Sequence, residues 1–553
     1  MNFKELESST KLRGGYYTPT PVAEFLARWV LNQRPSTVLE PSCGDGSFIR
    51  AVSAHANYNL SFSGIELMDE EAEKSRMSLH GNLHGSSTVI TADFLDWSNN
   101  ELDAQRTFDA VVGNPPYIRY QYLEEKDQLL AAQLFHRYQL KFTKHTNAWV
   151  PFVIASIGLL APGGRLAMVI PSEILHVLHA NSLRSYLLQE SHRILIIDPT
   201  ELLFEEALQG TVLLMVEKKI DPQSRSEGVA IVAAENNDFL TKDPESFYRN
   251  ATYISGDVLN GKWMRVLLSP VELAVYRRAI GLPQVHKFKN IATVDVGIVT
   301  GANKFFLVDD STVEKYRLDD YVKPMFGRSE HCPGIIYDNR VHSENKIKKM
   351  PTNFIALGGT PFESLKEDAQ KYVLLGESQS LHTRYKCRIR KPWYAVPSVY
   401  STPIGMLKRS HNFPRLILNT LGAYTTDTAY RIKTFAKDVT DEKLVFCFIN
   451  SLTALTAELE GRHYGGGVLE LVPSEIEKVL VPIPTEIKVD VQALNEKIIT
   501  STAPEELLAG QDNVILRAIG LSEQDCSIIQ QAWRRMRNRR HRRVENENDN
   551  GDG

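Results

Sequence analysis

With 553 residues, 43% of them hydrophobic and 24% charged, the chain is long enough to bury more than one core and has a globular composition. A formal net charge of −4 excludes a protein drawn as a whole to a polyanion, so any nucleic-acid surface must be a local concentration of Arg and Lys. No apolar run reaches the roughly 18 residues that span a bilayer, and the start MNFKELESSTKLRGG lacks the apolar core of a secretory signal, so a cytoplasmic protein with no membrane partner is expected.

In chain order, GGYYTPTPVAEFLARWV reads as a turn that starts a helix. From Val38 to about Lys219, short apolar runs alternate with longer helical stretches. TVLEPSC, SFSGIEL, STVITADF, FDAVVGN, RLAMVIP, RILIID and TVLLMVEKK read as strands. That alternation predicts an α/β domain whose mostly parallel sheet carries helices on both faces. The helical stretch ASIGLL ends in Ala161-Pro162-Gly163-Gly164, punctuation that returns the chain to the sheet.

IDPQSRSEG is polar, and by about residue 255 the rhythm gives way to scattered strands and hairpins such as VDVGIVTGANKFFLV. VLVPIP is the last strong apolar piece. LNEKIITS, EELLAG and CSIIQQAWRRMRNRRHRR then read as helices, and VENENDNGDG as a disordered tail. The domain expectation is a first domain at 1–250, a second at 251–486, a basic helical extension at 487–543 and the tail at 544–553.

Chemistry-bearing residues fall at the ends of the first four strands. After Glu40, the turn Gly44-Asp45-Gly46 opens a helix, and glycine allows positive φ and close backbone approach to a ligand; a simple βα turn is the plain alternative. Glu66 ends the second strand, where a carboxylate accepts from both hydroxyls of a ribose, or stands as a solvated loop acid. Asp93-Phe94 follows the third strand, placing an acceptor for an adenine amino group beside an aromatic cover. An adenosine site of this kind fits NAD and S-adenosylmethionine equally.

The fourth strand decides between them. FDAVVGNPPY puts Asn114-Pro115-Pro116-Tyr117 at the carboxyl edge of a parallel sheet, where the ligands of such sheets sit. An aromatic amine is a poor nucleophile because its lone pair is delocalised. Acceptance by the Asn114 side-chain oxygen and the Pro115 carbonyl localises that pair and aims it at a sulfonium methyl. Tyr117 offers a flat face for an extruded base. As a bare turn, the motif is also compatible with a structural role.

In the order of these motifs the chain resembles the gamma-class adenine DNA methyltransferases of the TaqI type, most strongly between Gly15 and Val216. The resemblance implies a class I S-adenosylmethionine-dependent, Rossmann-like methyltransferase fold followed by a mixed α+β target-recognition domain. It assigns Tyr17, Thr18 and Pro19 to a turn over the methionine end of the cofactor, and Glu40 with Gly44 and Gly46 to its methionine portion. Glu66 is then assigned to the ribose and Asp93 with Phe94 to the adenine. Asn114, Pro115 and Tyr117 bind and activate the target adenine, Asn114 bordering the cofactor as well. Phe204, in FEEALQGTVLLMVEKK, supplies a second aromatic wall or belongs to the core.

The expected cofactor is S-adenosyl-L-methionine, and the partner double-stranded DNA. A monomer is expected, acting as the modification half of a restriction-modification system with its endonuclease on a separate chain. No metal ligand spacing occurs and methyl transfer requires none. Methylation of a protein glutamine or of RNA, or an inactive DNA-binding specificity protein, are the alternatives.

Two basic stretches are candidates for DNA. TRYKCRIRKPWYAVPSVY interleaves Arg384, Lys386, Arg388, Arg390 and Lys391 with Tyr385, Trp393 and Tyr394; an edge strand with a charged outer face is the alternative. WRRMRNRRHRR suits phosphate contact without sequence preference, or a solvated helix end.

Overall fold

Short apolar runs that must be covered on both faces dominate the first half of the chain, and they assemble into one large sheet. The computed structural model describes residues 17–79, 83, 86–199, 210–234, 236–256, 261–464 and 466–541. The chain divides into two units, 1–267 and 268–553.

The first unit holds β1 (Thr37–Glu40), β2 (Ser61–Glu66), β3 (Thr88–Thr91), β4 (Phe108–Gly113), β5 (Leu160–Pro171), β6 (Ser191–Pro199), β7 (Thr211–Lys218) and β8 (Gly228–Ala234). Their spatial order is β3-β2-β1-β4-β5-β7-β6-β8. All neighbours run parallel except β7, which is antiparallel to both β5 and β6. The seven expected strands are present. The eighth, GVAIVAA, follows the polar IDPQSRSEG and was not expected; it pairs with β6 from Arg193↔Gly228 to Pro199↔Ala234.

Strand order reverses between β1 and β4: the chain walks outward from β1 to β3, then returns to β4 and walks the other way. The crevice beyond the carboxyl ends of β1 and β4 is therefore the topological switch point, where ligands of open α/β sheets bind. The interiors of β4 and β5 are buried on both faces, as parallel strands under helices require. Helix α1 (Thr20–Leu31) has Pro19 at its N-cap and buries Phe25, Leu26, Trp29 and Val30 against the sheet core. Helices α2 (Ser47–His55), α3 (Asp69–Met77) and α4 (Phe94–Asp103) follow β1, β2 and β3.

In the second unit, short strands make sheets of five, four, three and two members. VDVGIVTGANKFFLV does not fold on itself as a hairpin. Ala292–Val296 pairs instead with the distant Ala429–Thr434, and Asn303–Phe306 is one helical turn that puts Phe305 and Phe306 into the core. Leu480–Pro482, within VLVPIP, pairs with Val285–Lys287. Helices Val491–Ile499, Pro504–Ile515 and Glu523–His541 belong to the same compact unit. No described helix is long and apolar enough to cross a membrane.

Candidate active site

Glu40 ends β1 with 1% of its surface exposed, and its Oε2 has no hydrogen-bond partner. Burial first, then the nearby Asp45 and Glu66 carboxylates, push its carboxyl well above the usual carboxylate range. The following turn is built on positive φ at Gly44 (49°) and Gly46 (83°). At Gly46 a Cβ would stand 2.9 Å from Ser78 Oγ and 3.2 Å from Ser75 Cα, so the turn packs closely on α3 and its margin. Ser75 Oγ donates to the Gly44 carbonyl at 2.8 Å, and Arg50 closes on Asp45 at 2.9 Å.

Glu66 ends β2 with both carboxylate oxygens aimed by backbone donors: Gly44 N–H at 2.9 Å and Met68 N–H at 3.0 Å. These bonds hold its remaining lone pairs in a fixed direction. Tyr17 is 53% exposed, with its ring 3.9 Å from where a Gly44 side chain would begin, while Thr18 is buried. Tyr17, Thr18, Glu40, Gly44, Gly46 and Glu66 thus surround or adjoin one turn.

Asp93 caps α4, one carboxylate oxygen accepting from Asp96 N–H at 2.9 Å. Phe94 is 4% exposed, with its ring centroid 4.9 Å from that of Phe152 and 6.1 Å from that of Trp97. At the first position of a helix laid on the sheet, its ring packs inward. The structure places it among the buried aromatic residues beside Phe152 and Trp97.

Beyond β4 the chain is fixed before the motif begins. Gly113 lies opposite Met168 of β5, and a Cβ there would meet Pro41 Cδ at 3.3 Å and Glu40 Cγ at 3.8 Å, which brings Asn114 close to the end of β1. Ser42 Oγ donates to the Asn114 carbonyl at 3.0 Å. Pro115 is buried, and the Tyr117 hydroxyl donates to the Val169 carbonyl of β5 at 3.1 Å, fixing the ring. Phe204 lies outside the described residues, as do the expected tail and the segment before Tyr17.

The residues proposed for DNA divide into two kinds. Arg384, Lys386, Arg388 and Lys391 are exposed on and beside the helical turn Tyr385–Arg388, with the exposed rings and chains of Tyr385 (64%) and Ile389 (63%) between them. The turn replaces the edge strand that was the alternative. Arg390 is engaged internally, donating to the Thr300 and Val299 carbonyls at 2.7 Å each. Trp393 is buried, its indole N–H on Glu377 at 3.0 Å and its ring 5.1 Å from Phe305, so it is a core residue of this unit.

The Arg-rich helix is similarly divided. Arg540 pairs with Glu458 at 2.6 Å with both side chains fully buried, Arg537 with Glu505 at 2.6 Å, and Arg535 with Glu272. It is a packed helix rather than a solvated end.

Sequence reasoning missed Ser42, which fixes the Asn114 main chain, and Asp127, whose carboxyl is raised by burial and by the adjoining Asp93. Neither carries a sequence signal; each acquires its place only when β1 meets β4 or the helix Glu125–Arg137 meets β3's end.

Residues 3–250 match the N-6 DNA Methylase family, and residues 260–516 match the C-terminal domain of the Type II methyltransferase M.Eco57I. The chain is 25% identical to the Type II methyltransferase M.AccI of Acinetobacter calcoaceticus over 84% of each chain. To the Type II methyltransferase M.XamI of Xanthomonas campestris pv. amaranthicola it is 22% identical over 85% of each. The fold is similar to that of the Type IIL restriction-modification enzyme MmeI, solved in complex with DNA, with a TM-score of 0.53 and 12% identity over 94% of this chain and 72% of that one. An intact N-P-P-Y motif at the switch point, with these two matches over residues 3–250 and 260–516, makes the protein an adenine-specific DNA methyltransferase of the gamma-class type.

Proposed function

We propose that this methyltransferase transfers the methyl group of S-adenosyl-L-methionine to the exocyclic nitrogen of an adenine turned out of duplex DNA. The observation that carries this reading is the meeting of a buried, unpartnered Glu40 oxygen with the fixed Asn114-Pro115 backbone at the carboxyl ends of β1 and β4. The donor set fits the cofactor: an ammonium satisfies Glu40, two ribose hydroxyls suit the Glu66 carboxylate, and an adenine amino group suits Asp93. When bound, S-adenosylmethionine supplies an electrophilic methyl on a sulfonium.

The chain's own residues do the rest. Asn114 Oδ1 and the Pro115 carbonyl accept the two amino hydrogens, which localises the nitrogen lone pair in line for attack. Tyr117 holds the base by its face. Once the nitrogen has its new bond, it loses a proton to water, so no strong base is needed. Arg384, Lys386, Arg388 and Lys391 contact phosphates, and Tyr385 and Ile389 pack against the groove. The role is modification within a restriction-modification system, the nuclease being a separate chain and the enzyme a monomer.

The test is transfer of labelled methyl to unmethylated genomic DNA followed by nucleoside analysis. N6-methyladenine is the expected product. Cofactor binding without label in DNA would move the substrate to protein or RNA.

A further inference from the structure

Tyr117 must present its face to the base in one plane, and its hydroxyl bond to the Val169 carbonyl fixes the outer end of the ring. The chain just beyond it is held from the far side of the crevice. The Ala148 N–H donates to the Ile118 carbonyl at 2.9 Å, and the side-chain amide of the preceding Asn147 donates to Glu173 Oε2 at 3.0 Å. Glu173 lies in a short 3-10 turn (Ser172–Leu175) immediately after β5, whose neighbour β4 leads into Asn114. Both Glu173 and Asn147 are half-buried, at the same carboxyl edge of the sheet as the base-binding motif.

The turn that carries Glu173 is tied down on both sides. Arg184, 1% exposed, donates to the Ile174 carbonyl at 2.8 Å, the Val177 carbonyl at 3.0 Å and the Gly261 carbonyl at 2.7 Å. Burial lowers the Arg184 guanidinium to about 10, which leaves it charged at neutral pH. Ser172 N–H is bonded to the Gly210 carbonyl at 2.8 Å on the other side. Glu173 therefore transmits the position of β5's end to Asn147, and Asn147 to the segment behind Tyr117.

We infer that Glu173 is a positioning residue for base capture: as acceptor for the Asn147 amide it fixes the Ile118–Ala148 junction and, through it, the plane of Tyr117. This rests on the base-extrusion reading given above. The role asks for an acceptor oxygen at that reach and not for a negative charge, so glutamine meets it and alanine does not.

The experiment uses the full chain and a duplex carrying the sequence that the wild-type enzyme methylates, mapped from its own product, with 2-aminopurine at the target position. Glu173→Ala and Asn147→Ala are expected to raise KM for DNA by about tenfold, the scale of one hydrogen bond to a charged acceptor, and to cut the fluorescence of the extruded base. Both leave cofactor affinity within about twofold, and the double variant is no worse than either single one. Glu173→Gln restores most of the signal.

Wild-type KM and fluorescence in Glu173→Ala would overturn the inference. So would a Glu173→Gln as impaired as the alanine variant, or a parallel fall in cofactor affinity, which would mark general damage. A wild-type enzyme that methylates no DNA adenine would instead remove the base-extrusion reading, and this inference with it.

Discussion

Replacing Asn114 by alanine removes one of the two acceptors assigned to the reacting amino group while the described bonds that hold the motif remain. Ser42 Oγ binds the Asn114 main-chain carbonyl, Gly113 keeps its register with Met168, and the Tyr117 hydroxyl keeps Val169. The loss is therefore an electrostatic one, felt as charge develops on the nitrogen. Removing a single preorganised group of this kind costs about 2.7–4 kcal/mol, or about 100- to 1000-fold in the chemical step. Rapid-quench single turnover with saturating labelled cofactor and DNA reads that step directly, and calorimetry reads cofactor affinity. The expected result is a rate lower by that factor with cofactor affinity within about threefold. A rate loss under about tenfold, or a loss of cofactor affinity as large as the rate loss, would refute the assignment of Asn114 to the base.

Cofactor affinity is expected to rise with pH. The free Glu40 carboxyl sits well above the usual carboxylate range, a bound ammonium favours its charged form, and binding thus releases a proton in the interval between the lowered bound pKa and the raised free one. Calorimetry in buffers of different ionisation enthalpy measures that proton, and Glu40→Gln is expected to abolish it. In the second unit, Arg540→Met leaves Glu458 buried without its guanidinium and is expected to cost about 3–5 kcal/mol, read as a fall in the urea midpoint. Against burial, which raises it, the Arg540 guanidinium and a hydrogen bond from His463 hold the Glu458 carboxyl down at about 2, so the stability linked to its ionisation is complete above the ordinary glutamate pKa and is lost as pH falls through about 2. Exchanging Arg384, Lys386, Arg388 and Lys391 together for alanine is expected to weaken DNA binding on all sequences and to flatten its salt dependence by about one slope unit per lost phosphate contact, measured by anisotropy titration.

What could be read in advance followed from where burial is complete. Strands covered on both faces are continuous apolar runs, so TVLE, FDAVVG and TVLLMVEK are visible as strands, and a residue such as Glu40 or Glu66 at the end of one is conspicuous. GVAIVAA escaped although it is an apolar run rich in strand formers, because it lies behind a polar segment and its place beside β6 depends on a parallel crossover. The second unit was opaque for a different reason. Its strands run from two to six residues, and partners such as Ala292–Val296 and Ala429–Thr434 are far apart in sequence, so no local period announces them. Ser42, Asn147 and Glu173 are ordinary polar residues whose hydrogen bonds form only because the ends of β1, β4 and β5 lie side by side.

The basic stretches show the same limit in its sharpest form, because charge counted along a chain does not say where the charge is used. Arg390 and Arg540 look identical in sequence to Arg388 and Arg534, yet the first two are committed to carbonyls and a carboxylate inside the fold while the other two face solvent. A guanidinium paired this way, half-buried at Arg390 and fully buried at Arg540, is a structural cross-link, and its removal lowers stability at any salt concentration. An exposed one exchanges counterions with a polyanion, and its removal lowers affinity in a salt-dependent way. The two classes are therefore separable by experiment. Arg390→Ala, and Trp393→Ala beside it, should lower the unfolding midpoint while leaving the salt slope of DNA binding unchanged, whereas Arg388→Ala should do the reverse. A salt slope altered by Arg390→Ala in a normally stable protein would mean that this guanidinium leaves its carbonyl partners to meet phosphate.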